Sequence, residues 1–239
     1  MTPHVAAFRP DDERMAEATA LLERLGADPV ADPMLAVDPT GAVPRDDAEF
    51  VIFTSSTGAD RVPDGWSAGE ATVCAIGPAT AEALRETGIG VDLVPETYSS
   101  KGLLGALAGA VEGRRVEIAR SDHGSAVLRD GLDDAGAYHH ETVLYRLVRP
   151  DGAGESADLA AAGDLDAALF TSTLTVEHFL AAAGDRGVRE EALAGLGDAV
   201  VGAIGEPTRQ AAADAGITVN VVPREATFEA LARETLAEL

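Results

Sequence analysis

Cys74-Ala-Ile-Gly77-Pro-Ala-Thr80-Ala-Glu-Ala-Leu-Arg-Glu-Thr-Gly88-Ile-Gly-Val-Asp-Leu-Val-Pro95 returns half a chain later as Gly202-Ala-Ile-Gly205-Glu-Pro-Thr208-Arg-Gln-Ala-Ala-Ala-Asp-Ala-Gly216-Ile-Thr-Val-Asn-Val-Val-Pro223. In both copies the turn glycine, Gly77 or Gly205, precedes threonine by three residues, the next matched glycine by eleven and the closing proline by eighteen. Each copy reads as a strand, a tight turn, a helix, a glycine cap and a second strand ending at proline. Upstream of each lies another matched piece, Val51-Ile-Phe-Thr54-Ser55 and Ala168-Leu-Phe-Thr171-Ser172, an apolar run ending in Thr-Ser. A doubled unit of this kind predicts two similar lobes.

Outward from the repeat, short Val, Ile and Ala runs alternate with segments of helical period, which is the pattern of an α/β fold with parallel sheets. The expected strands are Val5 to Phe8, Val51 to Phe53, Thr72 to Ile76, Val91 to Val94, Val116 to Ala119, Ala167 to Phe170, Val200 to Ile204 and Val219 to Val222. The first helix is expected over Asp12 to Leu25, with Met15, Ala18, Leu22 and Leu25 on one face and Gly26 as its C-terminal cap. At 239 residues, the chain has length for one large domain or two small ones.

Hydrophobic residues make up 46% of the chain, which excludes a disordered acidic tail, yet 41 acidic against 18 basic residues leave a formal charge of -23. Nucleic acid and anionic membrane would be repelled, so neither is expected as a partner. Lys101 is the single lysine, and Ala, Gly and Val dominate while aromatics fall to 4%. This composition resembles that of halophilic proteins, whose acidic surface is screened by salt. The lone Cys74 forbids an internal disulfide and a cysteine-rich metal site. The opening Met1-Thr2-Pro3-His4 lacks a basic n-region, and Leu103 to Val111 is half a membrane span, so a cytoplasmic protein is expected.

A strand that ends in Thr-Ser and turns into a helix exposes hydroxyls and unpaired backbone N–H groups at the carboxyl edge of the sheet, where open α/β folds bind ligands. The Gly77 and Gly205 turns do the same. Uncharged donors of this kind suit an anionic ligand, and the turns would line a cleft if the lobes face each other. The competing reading is that Ser55, Ser56, Thr80, Ser172 and Thr208 are N-cap or first-turn residues. Arg120-Ser121-Asp122-His123 joins the same edge, with Asp122 the expected N-cap and Arg120 a candidate contact. His139-His140 reads as a solvated pair and His178 as structural or exposed. No phosphate loop, complete dinucleotide fingerprint, His-Glu-x-x-His or Gly-x-Ser-x-Gly is present.

Thr54-Ser55, Ile76-Gly77-Pro78-Ala79-Thr80-Ala81, Tyr98-Ser99-Ser100-Lys101-Gly102-Leu103-Leu104, Phe170-Thr171-Ser172 and Ile204-Gly205-Glu206-Pro207-Thr208 together resemble the uroporphyrinogen-III synthase family, in order along nearly the whole chain. The resemblance implies two flavodoxin-like lobes joined by a two-stranded linker. The first lobe would be discontinuous, from 1–35 and 166–239, the second would span 48–141, and the inter-lobe linkers would be 36–47 and 142–165. It also implies an enzyme that cyclises hydroxymethylbilane with loss of water and inversion of the terminal pyrrole ring, without cofactor or metal. Because the bilane closes unaided to the uninverted isomer, orientation and exclusion of that path would be the main task.

By the same resemblance, Thr54, Ser55, Gly77, Thr80, Ser100, Arg120, Ser172, Gly205 and Thr208 would bind substrate, and Tyr145 would assist departure of the hydroxyl. A cytoplasmic monomer receiving hydroxymethylbilane from its synthase is expected. One departure from the family pattern is Glu206-Pro207, which sets a carboxylate beside an anion-binding turn; another is the small Ser56-Thr57-Gly58 start of the following helix. A non-catalytic two-lobed ligand-binding or regulatory protein for an anionic small molecule would share these turns. A flavin enzyme fits less well, for want of aromatics to stack the cofactor.

Overall fold

The structure is a computed structural model that describes residues 2–239. In chain order the elements are β1 (His4–Phe8), α1 (Glu13–Arg24), β2 (Asp28–Ala31), β3 (Ala36–Pro39), β4 (Phe50–Phe53), α2 (Ser56–Ala59), β5 (Thr72–Ala75), α3 (Pro78–Glu86), α4 (Ser100–Leu107) and β6 (Arg115–Ser121). They continue as α5 (Ala126–Asp134), β7 (Tyr138–Val148), α6 (Glu155–Ala162), β8 (Ala167–Phe170), α7 (Thr173–Asp185), α8 (Arg189–Asp198), β9 (Val200–Ala203), α9 (Glu206–Asp214) and α10 (Phe228–Leu236). Two compact units result: the chain up to Ala36 together with Val148–Leu239, and Val37–Leu147.

The discontinuous unit holds a sheet of order β2-β1-β8-β9 whose adjacent strands run parallel. Alternation along β1 sends Val5 and Ala7 to one face, against Met15 and Leu22 of α1 and Leu231 of α10. Ala6 and Phe8 face the other side, against α6 to α9, where Phe8, Phe170 and Phe179 stack with centroids 4.6 to 5.7 Å apart. Both faces are covered, which is why these strands read as continuous apolar runs. The continuous unit holds the order β3-β7-β6-β4-β5, again with α-helices on both faces. Taken in the chain order of their own strands, β1, β2, β8, β9 and β4, β5, β6, β7 both give 2-1-3-4, the flavodoxin arrangement.

The repeat survives to single hydrogen bonds. Gly88 and Gly216 both have φ of 85°, the left-handed conformation that a helix-ending glycine supplies without strain. Val91 to Val94 and Val219 to Val222, expected as strands, are reduced to one bridge each, Cys74 with Leu93 and Gly202 with Val221. The reason is the same in both copies. The side chains of Asp92 and Asn220 accept the backbone N–H of Val73 and Val201 at 2.8 Å, taking a donor that a longer ladder would use.

The segments expected as linkers, 36–47 and 142–165, carry regular structure. β3 and the second half of β7 lie side by side in the five-stranded sheet, and α6 belongs to the discontinuous unit. That helix is weakly amphipathic, so no periodic signal marked it. It is anchored instead by Asp32, only 2% exposed, whose carboxylate accepts from Gly154 N at 2.8 Å, from Ser156 N at 3.0 Å and from the Ser156 hydroxyl.

Cys74 is fully buried in the continuous unit, and desolvation pushes its thiol from 9.0 up to about 12. Since the thiolate is the reactive form, Cys74 is expected to resist a disulfide-exchange reagent at pH 8 in the folded protein and to react fully once denaturant is added. Rapid native labelling would show that this region opens locally. No helix among the described residues is long and apolar enough to cross a membrane.

Candidate active site

Because β1, β2, β8 and β9 of one unit run parallel, as do β4 to β7 of the other, their carboxyl ends gather the chemistry-bearing turns at one edge of each sheet. In the continuous unit β4 ends at Phe53, and Ser55 caps α2 by accepting the Gly58 N–H at 3.0 Å. Its Oγ also lies 3.0 Å from the hydroxyl of Tyr145, a β7 residue 6% exposed and paired with Ser121 at the end of β6. A serine hydroxyl accepts two hydrogen bonds and donates one. With Gly58 N–H already accepted, Ser55 can donate its own proton to Tyr145, which leaves the phenolic O–H for another acceptor. The small start of α2 has its reason here, since a Cβ at Gly58 would stand 3.1 Å from Ser55 Oγ and 3.8 Å from the Tyr145 ring.

Gly77 and Gly205 occupy the N-cap positions of α3 and α9 in extended conformation, with no side-chain cap. By contrast Asp12, Ser55, Ser99, Ser125, Ser172 and Thr227 cap their helices with side chains. The first-turn N–H groups of α3 and α9 therefore keep their donors, and Thr80 and Thr208 sit in matching third positions, each 3% exposed. The ring of Tyr98, itself 64% exposed, lies over the Gly77 turn, 3.5 to 3.8 Å from where a Cβ would stand. Ser100 opens α4 beside Ser99, whose Oγ accepts Gly102 N–H at 3.1 Å. Thr54 is half-buried between β4 and Ser55.

In the discontinuous unit Ser172 forms a reciprocal capping box with Thr175, while Thr171 donates to the Phe8 carbonyl. Ser55 and Ser172 are thus helix caps, as the competing reading holds, and only Ser55 has a tyrosine hydroxyl on it. Glu206 faces Arg209 with both carboxylate oxygens, and that hydrogen-bonded pairing holds its pKa below the ordinary value. Its charge at the turn is therefore met by a cation one helical turn away.

Arg120 is committed elsewhere. It is 6% exposed, donates to the carbonyls of Gly124 at 2.8 Å and Ser125 at 3.0 Å, and has its Nε 3.2 Å from Glu141, close enough for an ion pair but not aligned as a hydrogen bond. It braces the turn into α5, so it is corrected from a candidate contact to a positioning residue. Asp122 is corrected as well: Ser125 caps α5, and Asp122 accepts the Leu147 N–H of β7 at 3.1 Å. His178 is structural, bonded to the Met34 carbonyl.

A residue the sequence did not single out is Arg9, directly after β1. Its guanidinium lies 4.8 Å from the Phe228 ring centroid, and its Nε has no hydrogen-bond partner among the described residues. Burial, then the Arg14 charge, lowers its pKa below the ordinary arginine value. Arg-Pro after an apolar strand does not set it apart in sequence from a surface arginine.

The family model described as uroporphyrinogen-III synthase HemD matches residues 16–233. The chain belongs to the uroporphyrinogen-III synthase family. A relative in Methanothermobacter thermautotrophicus, named "Putative uroporphyrinogen-III synthase", is 35% identical over 94% of both chains. One of the same name in Archaeoglobus fulgidus is 29% identical over 76% of both. Among solved structures, a mutant uroporphyrinogen III synthase of Thermus thermophilus covers all of both chains at TM-score 0.66 and 19% identity. Uroporphyrinogen-III synthetase of Helicobacter pylori does so at 0.64 and 14%, a likeness of fold. Uroporphyrinogen-III synthases are lyases of tetrapyrrole biosynthesis, and the α/β fold with parallel sheets found here is theirs.

Proposed function

We propose that this chain cyclises hydroxymethylbilane to uroporphyrinogen III, with loss of water and inversion of the terminal pyrrole ring. The observation that carries the site assignment is the Ser55–Tyr145 hydroxyl pair at the carboxyl edge of the five-stranded sheet. Ser55 holds the phenol by donating to it, and Tyr145 donates to the departing hydroxyl. Its contribution is a hydrogen bond to the leaving oxygen more than full proton transfer.

The acetate and propionate side chains of the substrate carry the binding energy. Their carboxylates are taken by the uncapped N–H groups of Gly77–Thr80 and Gly205–Thr208, with Thr54, Ser100, Ser172 and the cation of Arg9 as further donors. Backbone donors suit this task, since they are fixed before substrate arrives. Dehydration and ring inversion leave the oxidation level unchanged, so no step calls for a redox cofactor. We extend the same reading to a cytoplasmic monomer that receives its substrate from hydroxymethylbilane synthase.

The deciding experiment supplies hydroxymethylbilane, generated in place by its synthase, to the purified protein in molar KCl and measures the ratio of type III to type I uroporphyrinogen. Dominant type III is expected. Type I at the spontaneous rate, from folded protein, would leave anionic-ligand binding without catalysis. Tyr145→Phe is expected to lower kcat about tenfold with KM within twofold and an unchanged far-UV spectrum; unchanged kcat would remove the hydroxyl from the chemistry.

A further inference from the structure

The two copies of the repeat keep one register beyond Pro95 and Pro223, and there one copy serves as a control for the other. Ser99 and Thr227, four residues past those prolines, cap α4 and α10 by accepting the Gly102 N–H at 3.1 Å and the Ala230 N–H at 3.2 Å. Just before each cap the backbone repeats as well, Ser99 N–H donating to the Thr97 carbonyl at 2.8 Å and Thr227 N–H to the Glu225 carbonyl at 2.7 Å. The residue enclosed by that bond is Tyr98 in one copy and Ala226 in the other. Since one hydrogen-bonded turn carries both, the fold does not require an aromatic side chain at this position.

Tyr98 faces the carboxyl edge of its sheet. Its Cβ and ring lie 3.4 to 3.8 Å from where a Cβ of Gly77 would stand, so it buries that glycine while remaining 64% exposed itself. In the other copy the Gly205 turn is open, with only Pro207 Cδ at 3.9 Å. An aromatic ring presented by a hydrogen-bonded turn offers a flat apolar surface in a fixed place, which is what stacking a planar ring needs. A second difference lies three residues on. Lys101, the single lysine, is exposed in the first turn of α4, where the helix dipole disfavours a cation, and it has no ion-pair partner among the described residues. Its counterpart Glu229 is the anion that the dipole favours, and it is paired with Arg233 at 3.0 Å.

We propose that Tyr98 and Lys101 form the subsite for one carboxylate-bearing pyrrole ring of the substrate, the pyrrole stacking on the open side of the Tyr98 ring and its acid side chain meeting the Lys101 ammonium. The inference rests on the cyclase reading and gives the two glycine turns different tasks. The Gly77 turn, with an aromatic beside it, orients a ring; the Gly205 turn holds a carboxylate alone.

Y98A and K101E install the residues of the other copy, so Tm is expected to stay within about 2 °C for both. With hydroxymethylbilane supplied as above, Y98A is expected to raise KM about tenfold with kcat within twofold, and to raise the share of type I product. Y98F should keep KM within twofold and Y98L should not, because leucine covers the turn without a flat face. K101E should raise KM about threefold. An unchanged KM in Y98A, or a Y98L that performs as well as Y98F, would overturn the stacking, and an unchanged KM in K101E would overturn the contact with the acid side chain. If the unmodified chain forms only type I at the spontaneous rate, the cyclase reading fails, and uroporphyrin III, a planar aromatic carboxylate, becomes the probe. A Soret-band shift given by the unmodified chain and Y98F but lost in Y98A would then keep the stacking site; no shift, or the same shift in all three, would overturn it.

Discussion

Replacing Asp32 by alanine is expected to lower the melting temperature by about 10 °C without altering the turns proposed to bind substrate. The carboxylate is 2% exposed and accepts from two backbone N–H groups and one hydroxyl at the start of α6. Hydrogen bonds to a charged group contribute about 1.5 to 3 kcal/mol each, and removing only the acceptor strands buried donors at their full desolvation cost. Three such bonds amount to at least about 4.5 kcal/mol, and since each kcal/mol moves Tm by about 2 to 4 °C for a chain of this length, a fall of about 10 °C is the low end of the expectation. Ser156→Ala removes one of the three bonds and should lower Tm by about a third as much. Circular dichroism melts of the two variants check the ratio. A fall below 2 °C for Asp32→Ala would show that packing alone holds α6.

The Asp32 contact is of a kind that local sequence does not encode. The doubled Gly-x-x-Thr punctuation gave away two lobes, because backbone requirements at Gly88 and Gly216 leave the same mark in each copy. The apolar runs of β1, β4, β8 and β9 were legible because both faces of each sheet are covered. β2 and β3 were missed, since Asp28-Pro-Val-Ala and Ala36-Val-Asp-Pro are short, polar edge strands whose pairing depends on neighbours. α6 was missed because its N-terminus is capped from 122 residues away, which no local window can see.

At the site, residue types were legible and pairings were not. Ser55 and Tyr145 could each be named, yet the contact between them spans 90 residues and appears only when β7 is registered against β6. Arg120 looked available because Arg followed by Ser-Asp-His at a strand end is a binding-loop pattern. Its guanidinium is consumed by the Gly124 and Ser125 carbonyls of that same loop. Arg9, the half-buried guanidinium over Phe228, reads in sequence as an ordinary surface arginine.

Gly205→Asp is expected to lower kcat/KM about 100-fold while leaving Tm unchanged or slightly raised. Gly205 has φ of -172°, an extended conformation open to any residue, and a Cβ there would meet only Pro207 Cδ at 3.9 Å. Aspartate is among the best N-cap residues and exceeds glycine by a few tenths of a kcal/mol, so the fold should not suffer. Its carboxylate would occupy the N–H groups of α9 that the proposed mechanism reserves for a substrate carboxylate. It would also add a second negative charge beside Glu206, whose own charge Arg209 already meets. Losing one charge-assisted bond of about 1.5 to 3 kcal/mol is worth a factor of roughly 10 to 150, and like-charge repulsion adds to it. Gly205→Asn separates the two contributions, because its neutral amide caps the helix without the charge. A loss near tenfold for asparagine against about 100-fold for aspartate would assign the turn to an anionic group of the substrate. Full activity in the aspartate variant, with the type III product unchanged, would take α9 out of the binding site and leave the carboxylates to the Gly77 turn.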